Sequence, residues 1–590
     1  MIILSRFRQN NFQIFLLLWG SLLHALVSIG YIASPIALGL FPLHYAISPI
    51  LQIFNFLGLH FLFSWIYRTL PWRRIASMVL IVEVLILVVP IIVETTLLYL
   101  YDSPIDANFI LVMLASPRQE IREYLSSLST DAYGVVVGIL VITAIMAGFG
   151  TCSLTKYRQR RLKHLASGTE TVGLFIVLLV FVACTMRNAM NYHRNLLVNP
   201  PRSSNSTDRM FWALLRAKKE RSLTAQHLKS MTHSAHFTGF SYHPTVKGPL
   251  HIVVILGESA RADLMSVYGY IRKTTPHVDS LTKQGTIIPF NDVTSSASST
   301  LFSGQRIFSY WNNTPQKQWF DFPDLINTFA HAGFRTQWLS NQDATDYSSL
   351  ERIFTFSADT LLTTTSLMDN WAEMSLDERL LPWIYSAPHS APTFTTIHLV
   401  GSHQNYQRRY PQAFEYFKPS DMKECLTEDA KRQKAAYLNS LRYTDHLLDK
   451  MIKHYSSQRA LVFYFSDHGE MVDEPQQRGF FGHGGNVNHP SVDVPFFVYA
   501  SPQLRKEHPE LWERIKKAQF RSISTAWFTN SLTSLLGIHT KYNDERYNFF
   551  SEKFANPTRI AVQGDERHEV PPLKRKRVRI NSSFSLHRQV

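Results

Sequence analysis

Cysteine is scarce in this chain, which has 3 cysteines among its 590 residues. Cys152 and Cys184 lie in strongly apolar segments, so the rest of the chain holds Cys425 alone. A single thiol cannot form an internal disulfide, and it cannot supply a cysteine-type structural zinc site. Both features are therefore excluded from the more polar part of the chain.

Acidic residues are also few: 45 Asp and Glu stand against 60 Lys and Arg, which leaves a formal net charge of +15. An excess of basic residues is compatible with binding to nucleic acid, with binding to an anionic membrane surface, or with basic loops between the spans of a membrane protein. Up to about Ala189 the basic residues lie in short loops between apolar blocks, which favours the third interpretation. We expect membrane lipids, and no nucleic acid, as partners.

Five apolar blocks are long enough to cross a bilayer, which takes about 20 helical residues. The first block is too long for the core of a cleaved signal peptide, and further blocks follow it. The sequence therefore predicts an α-helical membrane domain of five transmembrane helices, over residues 12–33, 45–67, 75–101, 133–154 and 171–190.

Three basic clusters indicate how these helices are oriented. Arg6 and Arg8 precede the first helix, residues 68–74 separate the second from the third, and residues 156–164 separate the fourth from the fifth. The positive-inside rule places all three clusters, and the N-terminus, in the cytoplasm. Five spans then carry everything after about Tyr192 across the membrane. We expect a multi-pass protein of a bacterial inner membrane, with its remaining domain in the periplasm.

The composition divides the chain into four segments. Residues 1–191 form the membrane domain, and residues 192–247 form a linker whose basic stretch favours an amphipathic helix along the membrane surface. In residues 248–555, apolar strands alternate with helix-like stretches, which predicts an α/β domain with a largely parallel sheet covered by helices on both faces. The pattern is lost after Glu552, and residues 556–590 read as a basic, solvated tail.

Polar side chains follow three of the strands predicted in this domain. The four strands are 251–256, 394–400, 461–465 and 494–500; the polar residues are Glu258, His403, Asp467 and His468. His483 lies fifteen residues after His468, on a glycine-rich loop. Because strand ends converge at one edge of a parallel sheet, these side chains should meet. Oxygen and imidazole ligands suit zinc and, to a lesser degree, manganese, so we expect an open catalytic metal site.

A run of hydroxyl side chains over residues 291–304 could supply a nucleophile, because it precedes an apolar, helix-like stretch. A Ser or Thr at a helix N-terminus lies in positive potential, and zinc would stabilise its alkoxide further. The pattern does not choose among Ser298, Ser299 and Thr300. A cluster of capping hydroxyls without chemistry is the alternative.

These stretches resemble the motifs of the phosphoethanolamine transferases of the bacterial inner membrane, which belong to the alkaline phosphatase/sulfatase superfamily. Residues 257–276 resemble the first metal motif of that family, with its Gly-Glu-Ser/Thr start and its Gly-Tyr-x-Arg-x-Thr-x-Pro ending. Residues 401–411 resemble its Gly-Ser/Thr-His…Arg-Tyr-Pro motif, and residues 464–470 match its second metal motif. The resemblance covers nearly the whole chain and implies an alkaline phosphatase/sulfatase-like fold for the α/β domain.

The resemblance also implies roles for individual residues. The family carries its nucleophile in a Val-Thr-Ser-Cys-Gly-Thr-x-Thr pattern, whose last Thr falls on Thr300 when it is laid on residues 293–300. By the same match, four residues would bind one catalytic zinc: Glu258, Thr300, Asp467 and His468. His403 and His483 would contact the transferred phosphate or a second zinc, and one of them would protonate the leaving group.

Two departures from the family pattern stand out. The Cys-Gly pair is Ser296-Ala297 here, and the low cysteine content points to the disulfide-poor branch that modifies the lipopolysaccharide core. In residues 106–131, relatives place Asn, Thr and Glu one turn apart to receive the lipid headgroup, where this chain has Val112, Ser116 and Glu120. Ser116 and Glu120 are donor-site candidates, with Glu120 facing the ethanolamine ammonium; a plain capped helix is the alternative.

The implied activity is the transfer of phosphoethanolamine from phosphatidylethanolamine to lipopolysaccharide, on a core sugar or lipid A, through a phosphothreonine intermediate. We expect a zinc-dependent monomer. The alternatives are a phosphoglycerol transferase, phosphoethanolamine transfer to periplasmic glucans, and a lipid-binding membrane protein without activity. A sulfatase activity is disfavoured, because the domain has no Cys- or Ser-x-Pro-x-Arg motif.

Overall fold

The computed structural model describes most of the second half of the chain and parts of the first. The described residues are 82, 86, 89–97, 105–115, 137–138, 179, 182, 186, 206–228, 237–312, 317–342, 354, 358–364, 376–386, 391–475, 477–483, 487–563 and 566–573. Within these ranges, no helix is both long enough and apolar enough to cross a membrane. Four of the five expected spans lie almost wholly outside the described residues, and 75–101 is described in part, with residues 89–97 helical.

The described α-helices are numbered α1 to α11 in chain order. They are α1 Ala107–Ala115, α2 Ser206–Leu228, α3 Pro276–Lys283, α4 Thr300–Ile307, α5 Leu325–His331, α6 Leu381–Tyr385, α7 Glu428–Tyr455, α8 His489–Val492, α9 Pro502–Glu507, α10 Pro509–Ala518 and α11 Phe528–Leu535. The α2 helix lies within residues 192–247, where the sequence predicts a helix.

The described strands are numbered β1 to β15 in the same way. They are β1 Ser241–Tyr242, β2 His251–Gly257, β3 Ile287–Pro289, β4 Asp292–Thr294, β5 Arg335–Ser340, β6 Thr360–Thr363, β7 Thr393–His398, β8 Ala460–Ser466, β9 Met471–Glu474, β10 Gln477–Gly482, β11 Phe496–Ala500, β12 Ser522–Ser524, β13 Ile538–His539, β14 Arg559–Gln563 and β15 Glu566–Val570.

The described residues fall into two compact units. The first comprises the described residues up to Leu111 and those from 137 to Glu220; the second comprises those from Val112 to Ala115 and from Arg221 onward. In the first unit, the Arg209 guanidinium pairs with the Glu94 carboxylate at 2.5 Å, and both side chains are buried. This pair ties α2 to the helical residues 89–97, since removing either partner would leave a buried charge uncompensated.

A seven-stranded sheet forms the centre of the second unit, in the part of the chain that the structure describes. Its strand order is β3-β11-β8-β2-β7-β5-β6. The β2 strand is parallel to both β7 and β8, and β5 is parallel to β7 and β6. The expectation of a largely parallel sheet is thereby confirmed. The fourth strand of the sequence-based set, 494–500, appears as β11 and runs antiparallel to its neighbours β8 and β3.

Hydrophobic side chains cover both faces of the sheet, so its central strands are fully buried. Val254 and Phe463 point into a core that includes α5, α10 and α11, whereas Val253 and Val462 point into a second core against α7. Strands that are buried on both sides read as continuous apolar runs rather than alternating ones, which is the pattern seen in β2 and β8. The sheet therefore offers a rigid edge at its strand ends.

The expectation of an unpatterned tail after Glu552 is wrong for residues 559–570. Here β14 and β15 form an antiparallel hairpin, with Arg559 opposite Val570 and Gln563 opposite Glu566. The alternation of apolar and polar residues in RIAVQGDERHEV is too short to predict a strand from the sequence. The two strands of the hairpin are stabilised because Ala561 and Val562 are buried against the domain. The basic run 574–579 lies outside the described residues.

The start of α3 shows how the long helix α7 is joined to the strand-end loops. Thr275, the residue before the helix, makes no side-chain capping bond, and Pro276 has no N–H to donate. The next two backbone N–H groups, of His277 and Val278, instead donate to the buried Asp445 carboxylate of α7, each at 2.9 Å. Asp445 thus acts as a cap supplied from another helix.

Asp445→Ala should lower the thermal midpoint of the protein by several degrees. Two buried N–H groups would lose their acceptor, which costs about 1–3 kcal/mol. The matched control is Asp429→Ala on the first turn of the same helix, whose exposed carboxylate pairs with Arg432. It should cost under about 1 kcal/mol. Thermal melts of both variants make the comparison, and equal shifts would contradict the capping role of Asp445.

Candidate active site

Glu258 occupies the first turn after β2, and the backbone there is tightly held. Ser259 follows with a positive φ of 57°, a conformation that turns the chain sharply away from the strand. The neighbouring loop approaches so closely that a Cβ on Gly401 would lie 2.9 Å from the Glu258 carbonyl oxygen. Gly401 also has a positive φ of 53°, so glycine meets both requirements of this position.

The hydroxyl run forms a short strand, a loop and the start of α4. The β4 strand ends at Thr294, and the helix begins at Thr300 after Ser299 in an extended conformation. The Ser299 side chain makes no capping bond. Thr300 is the hydroxyl residue at the first helical position. The first N–H groups of a helix have no intrahelical partner, so Thr300 lies in positive potential.

Four side chains from three segments converge at the ends of β2, β8 and this loop. The Thr300 hydroxyl donates to Glu258 Oε2 at 3.1 Å and lies 3.2 Å from His468 Nε2. His468 Nε2 in turn lies 3.1 Å from Glu258 Oε1 and 3.2 Å from Asp467 Oδ2. The four residues proposed as metal ligands are therefore neighbours, although Thr300 is 42 positions from Glu258 and 168 positions from His468 along the chain.

One carboxylate oxygen in this group makes no hydrogen bond among the described residues, although His468 Nε2 lies 3.2 Å from it. The Asp467 side chain is fully buried; its Oδ1 accepts the backbone N–H groups of His468 at 2.7 Å and Ser259 at 3.2 Å, while Oδ2 accepts none. A buried carboxylate oxygen without a hydrogen bond is costly unless a cation compensates it. The residues thus fit a divalent cation bound by oxygen and imidazole ligands, which is the ligand set of a catalytic zinc.

The electrostatics of the group reflect two carboxylates held close together in a buried place. Burial, and then the charge of Glu258, raise the pKa of Asp467 to about 7. Burial alone would lower the pKa of His468, but Asp467 and Glu258 raise it to about 10. Burial alone would raise the pKa of Glu258, but the His468 charge holds it well below its usual range. The two buried carboxylates therefore require a positive charge close to them, and the nearest group that can carry one is the His468 ring.

His483 joins this group more closely than the sequence indicated. Its ring centroid lies 4.3 Å from that of His468, and Glu258, His468 and His483 each offer a potential ligand atom within 4.8 Å of the others. His483 Nδ1 lies 2.9 Å from Glu470 Oε2, and the Tyr406 hydroxyl donates to Glu470 Oε1 at 2.6 Å. This buried carboxylate orients the His483 ring and selects its tautomer.

The His403 ring lies beside the His483 ring, with ring centroids 5.3 Å apart. The turn that carries it is held by the buried Asp377 carboxylate, which accepts the backbone N–H groups of Val400 at 2.8 Å and Gly401 at 2.9 Å. On its other side, the Ser402 N–H donates to the Glu258 carbonyl oxygen at 2.9 Å. The position of His403 is thus coupled to that of Glu258.

The structure brings together six of the eight residues singled out from the sequence: Glu258, Thr300, His403, Asp467, His468 and His483. Ser116 and Glu120 lie outside the described residues, and only the backbone of Val112 is described. Sequence reasoning missed the supporting roles of Glu470, Tyr406 and Asp377. Glu470 follows His468 by two residues, which is the one signal that could have suggested its role.

A second group of potential ligands lies among the described residues, formed by Asp263, His489 and Asp493. It differs from the first group in two ways. The Asp263 carboxylate pairs with Arg261 at 2.7 Å, and the His489 side chain is 51% exposed. A group with one carboxylate already neutralised and one exposed imidazole attracts a cation less strongly.

Comparison with known proteins agrees with this geometry. Residues 251–538 match the sulfatase family. The phosphoethanolamine transferase EptC of Escherichia coli K12 is 26% identical over 319 residues, which cover 53% of this chain and 55% of that protein. The chain thus spans about half the length of the curated relatives that it matches.

Two solved structures share the fold. The C-terminal periplasmic domain of E. coli EptC in complex with zinc has a TM-score of 0.52 at 23% identity, covering 57% of this chain and 95% of that one. The integral membrane protein lipooligosaccharide phosphoethanolamine transferase A from Neisseria meningitidis has a TM-score of 0.61 at 18% identity, covering 90% and 97%. Residues 251–538 therefore match the sulfatase family and adopt an alkaline phosphatase-like fold, and the chain is similar to proteins named phosphoethanolamine transferases.

Proposed function

We propose that this protein transfers phosphoethanolamine from phosphatidylethanolamine to lipopolysaccharide, with Thr300 as the nucleophile. The observation that carries the proposal is the contact of the Thr300 hydroxyl with both Glu258 Oε2 and His468 Nε2, at 3.1 and 3.2 Å. A hydroxyl at a helix N-terminus, facing a buried carboxylate and an imidazole, is set up to lose its proton and attack phosphorus. The names of the relatives support ethanolamine as the transferred headgroup.

The metal in this proposal is one zinc ion, held by Glu258, Thr300, Asp467 and His468. The Asp467 Oδ2 atom, buried and without a hydrogen bond among the described residues, supports it, as does the zinc bound by the EptC domain. When bound, zinc supplies Lewis acidity that lowers the pKa of the threonine hydroxyl and neutralises phosphoryl oxygens.

The transfer then takes two displacements at phosphorus. Thr300 Oγ1, deprotonated by loss of its proton to water, forms a bond to the phosphorus of phosphatidylethanolamine, the bond from phosphorus to the glycerol oxygen breaks, and diacylglycerol leaves. His403 or His483 donates the proton that the glycerol oxygen needs. An oxygen of the acceptor then gives its proton to the same histidine and attacks the same phosphorus, and the bond from phosphorus to Thr300 Oγ1 breaks, which releases Thr300 as the alkoxide for the next cycle. The protein contributes mainly position and charge stabilisation, because the chemistry passes between similar phosphodiesters.

The setting of this reaction is a bacterial inner membrane, with residues 1–191 as five transmembrane helices, residues 192–247 as linker and the catalytic domain in the periplasm. The three basic clusters in the cytoplasmic loops support this orientation. Two relatives are named an integral membrane protein and a periplasmic domain, which agrees with it. In the proposed membrane domain, Ser116 and Glu120 receive the ethanolamine headgroup, and the protein acts as a monomer.

Thr300→Ala should abolish transfer and leave the fold intact. The test compares lipopolysaccharide from a strain that lacks the protein with that from strains supplied with the wild type or the variant. Mass spectrometry should find one added phosphoethanolamine with the wild type and none with Thr300→Ala, and fragmentation locates it on core sugar or lipid A. Ser299→Ala is the matched control and should keep the modification, since this side chain makes no capping bond. Full modification by Thr300→Ala would refute the assignment of the nucleophile.

Asp467→Asn should weaken zinc binding at least about tenfold, because the amide replaces an anionic ligand while it preserves the size of the side chain. Asp493→Asn is the matched control, since it makes the same change in the second group of potential ligands. Elemental analysis after dialysis against a weak chelator should find zinc retained by the wild type and by Asp493→Asn, and lost from Asp467→Asn. The reverse pattern would move the metal to the second group.

A further inference from the structure

The β14–β15 hairpin lies beyond residues 251–538, the stretch that matches the sulfatase family. It nevertheless contacts the loop that leads to the nucleophile. The Val562 N–H donates to the Ser296 carbonyl oxygen at 2.9 Å, and Val562 and Ala297 form a parallel β-bridge. The contact is dry, because Ala297 is 0% and Val562 5% exposed. The hairpin therefore contacts the loop at Ser296, four residues before Thr300.

A buried ion pair fixes the hairpin at the other end of the same loop. The Arg559 guanidinium, at the first residue of β14, pairs with the carboxylate of Asp292, the first residue of β4. Both side chains are nearly inaccessible, at 2% and 9% exposed. The second Asp292 oxygen accepts the Ser522 hydroxyl at 2.5 Å, so the aspartate joins the hairpin to the β4–β12 pair. A buried ion pair of this kind fixes the position of the hairpin relative to β4, because the loss of one partner would leave the other charge buried and uncompensated.

The loop between these two contacts is also anchored from inside the sulfatase domain. The Ser295 N–H donates to the Val492 carbonyl oxygen at 2.8 Å, and the Ser296 N–H donates to Thr525 Oγ1 at 3.2 Å. The Ser295 hydroxyl donates to the Asp467 carbonyl oxygen, which ties the loop directly to the metal-binding segment. Of these contacts with the loop, the two made by Arg559 and Val562 come from outside residues 251–538.

We infer that the β14–β15 hairpin is a positioning element for the nucleophile, with Arg559 as its principal positioning residue. The inference rests on the proposed function of Thr300. The hairpin holds the loop 292–299 against the sheet, so that α4 starts where the Thr300 hydroxyl reaches Glu258 and His468. Those two contacts are 3.1 and 3.2 Å long, and reaction rates fall steeply when reacting groups are displaced by about 1 Å.

The test removes the ion pair without stranding a charge. The double variant Asp292→Asn/Arg559→Met replaces both charged groups by neutral ones of similar size, and the amide oxygen introduced at position 292 would still accept the Ser522 hydroxyl. Glu569→Gln is the matched control, since this glutamate lies exposed on the second strand of the same hairpin. The full chain in detergent is used throughout, with the thermal midpoint and the bound zinc of each variant measured beside activity.

Two readouts separate positioning from general stability. The first is transfer from phosphatidylethanolamine at a temperature well below the thermal midpoint: kcat of the double variant should fall roughly 10- to 100-fold, with KM and bound zinc unchanged. The second is backbone hydrogen exchange of the native protein. Peptides from residues 292–300 should exchange faster, whereas peptides from β2 and β8 should keep their protection. Glu569→Gln should match the wild type in both readouts.

The outcomes distinguish a failure of the positioning inference from a failure of the proposed function. If the wild type transfers and the double variant keeps its kcat and its exchange pattern, the hairpin does not position the nucleophile. If exchange rises equally in β2, β8 and residues 292–300, the hairpin is only a general stabiliser, and the inference is overturned. If the wild type shows no transfer, the proposed function fails; faster exchange confined to residues 292–300 still supports the hold of the hairpin on the loop.

Discussion

Two carboxylates, those of Glu258 and Asp467, are removed from water at the same edge of one sheet, and the rest of the site follows from that constraint. Each is buried, and each lies within 3.2 Å of the same imidazole nitrogen of His468. Such charges are stable only beside a positive group. The nearest group that can carry this charge is the His468 ring; in the proposed function a zinc ion held by the same side chains would take that role.

The surrounding backbone explains how distant segments keep this arrangement. Parallel pairing of β2 with β8 sets Gly257 opposite Ser466, so the two carboxylates emerge side by side. The Ser295 hydroxyl and the Val562 N–H contact the segment before Thr300, and Asp377 holds the turn of His403. Each support is a buried polar contact whose loss would leave an unsatisfied group. The scaffold therefore gives the reacting atoms little freedom, as catalysis by positioning requires.

The sequence predicted the sheet and the side chains that meet at its edge, because both depend on local patterns. Continuous apolar runs such as β2 and β8 indicate buried strands, and the polar residues at their ends converge in a parallel sheet by geometry alone. The choice of Thr300 among three hydroxyls needed the family resemblance, since helix-start patterns are shared by all three. Glu470, Asp377 and the 559–570 hairpin were missed, because their roles arise from contacts across 13 to 267 positions that no local period encodes. The antiparallel direction of β11 was missed for the same reason.

Anomalous diffraction at the zinc absorption edge, from crystals of the full chain grown with zinc, tests the central claim most directly. We expect one strong peak at about 2.0–2.3 Å from the side chains of Glu258, Thr300, Asp467 and His468. A map with no peak there, or with its main peak at Asp263, His489 and Asp493, would contradict the account, because the paired carboxylates would then have another purpose.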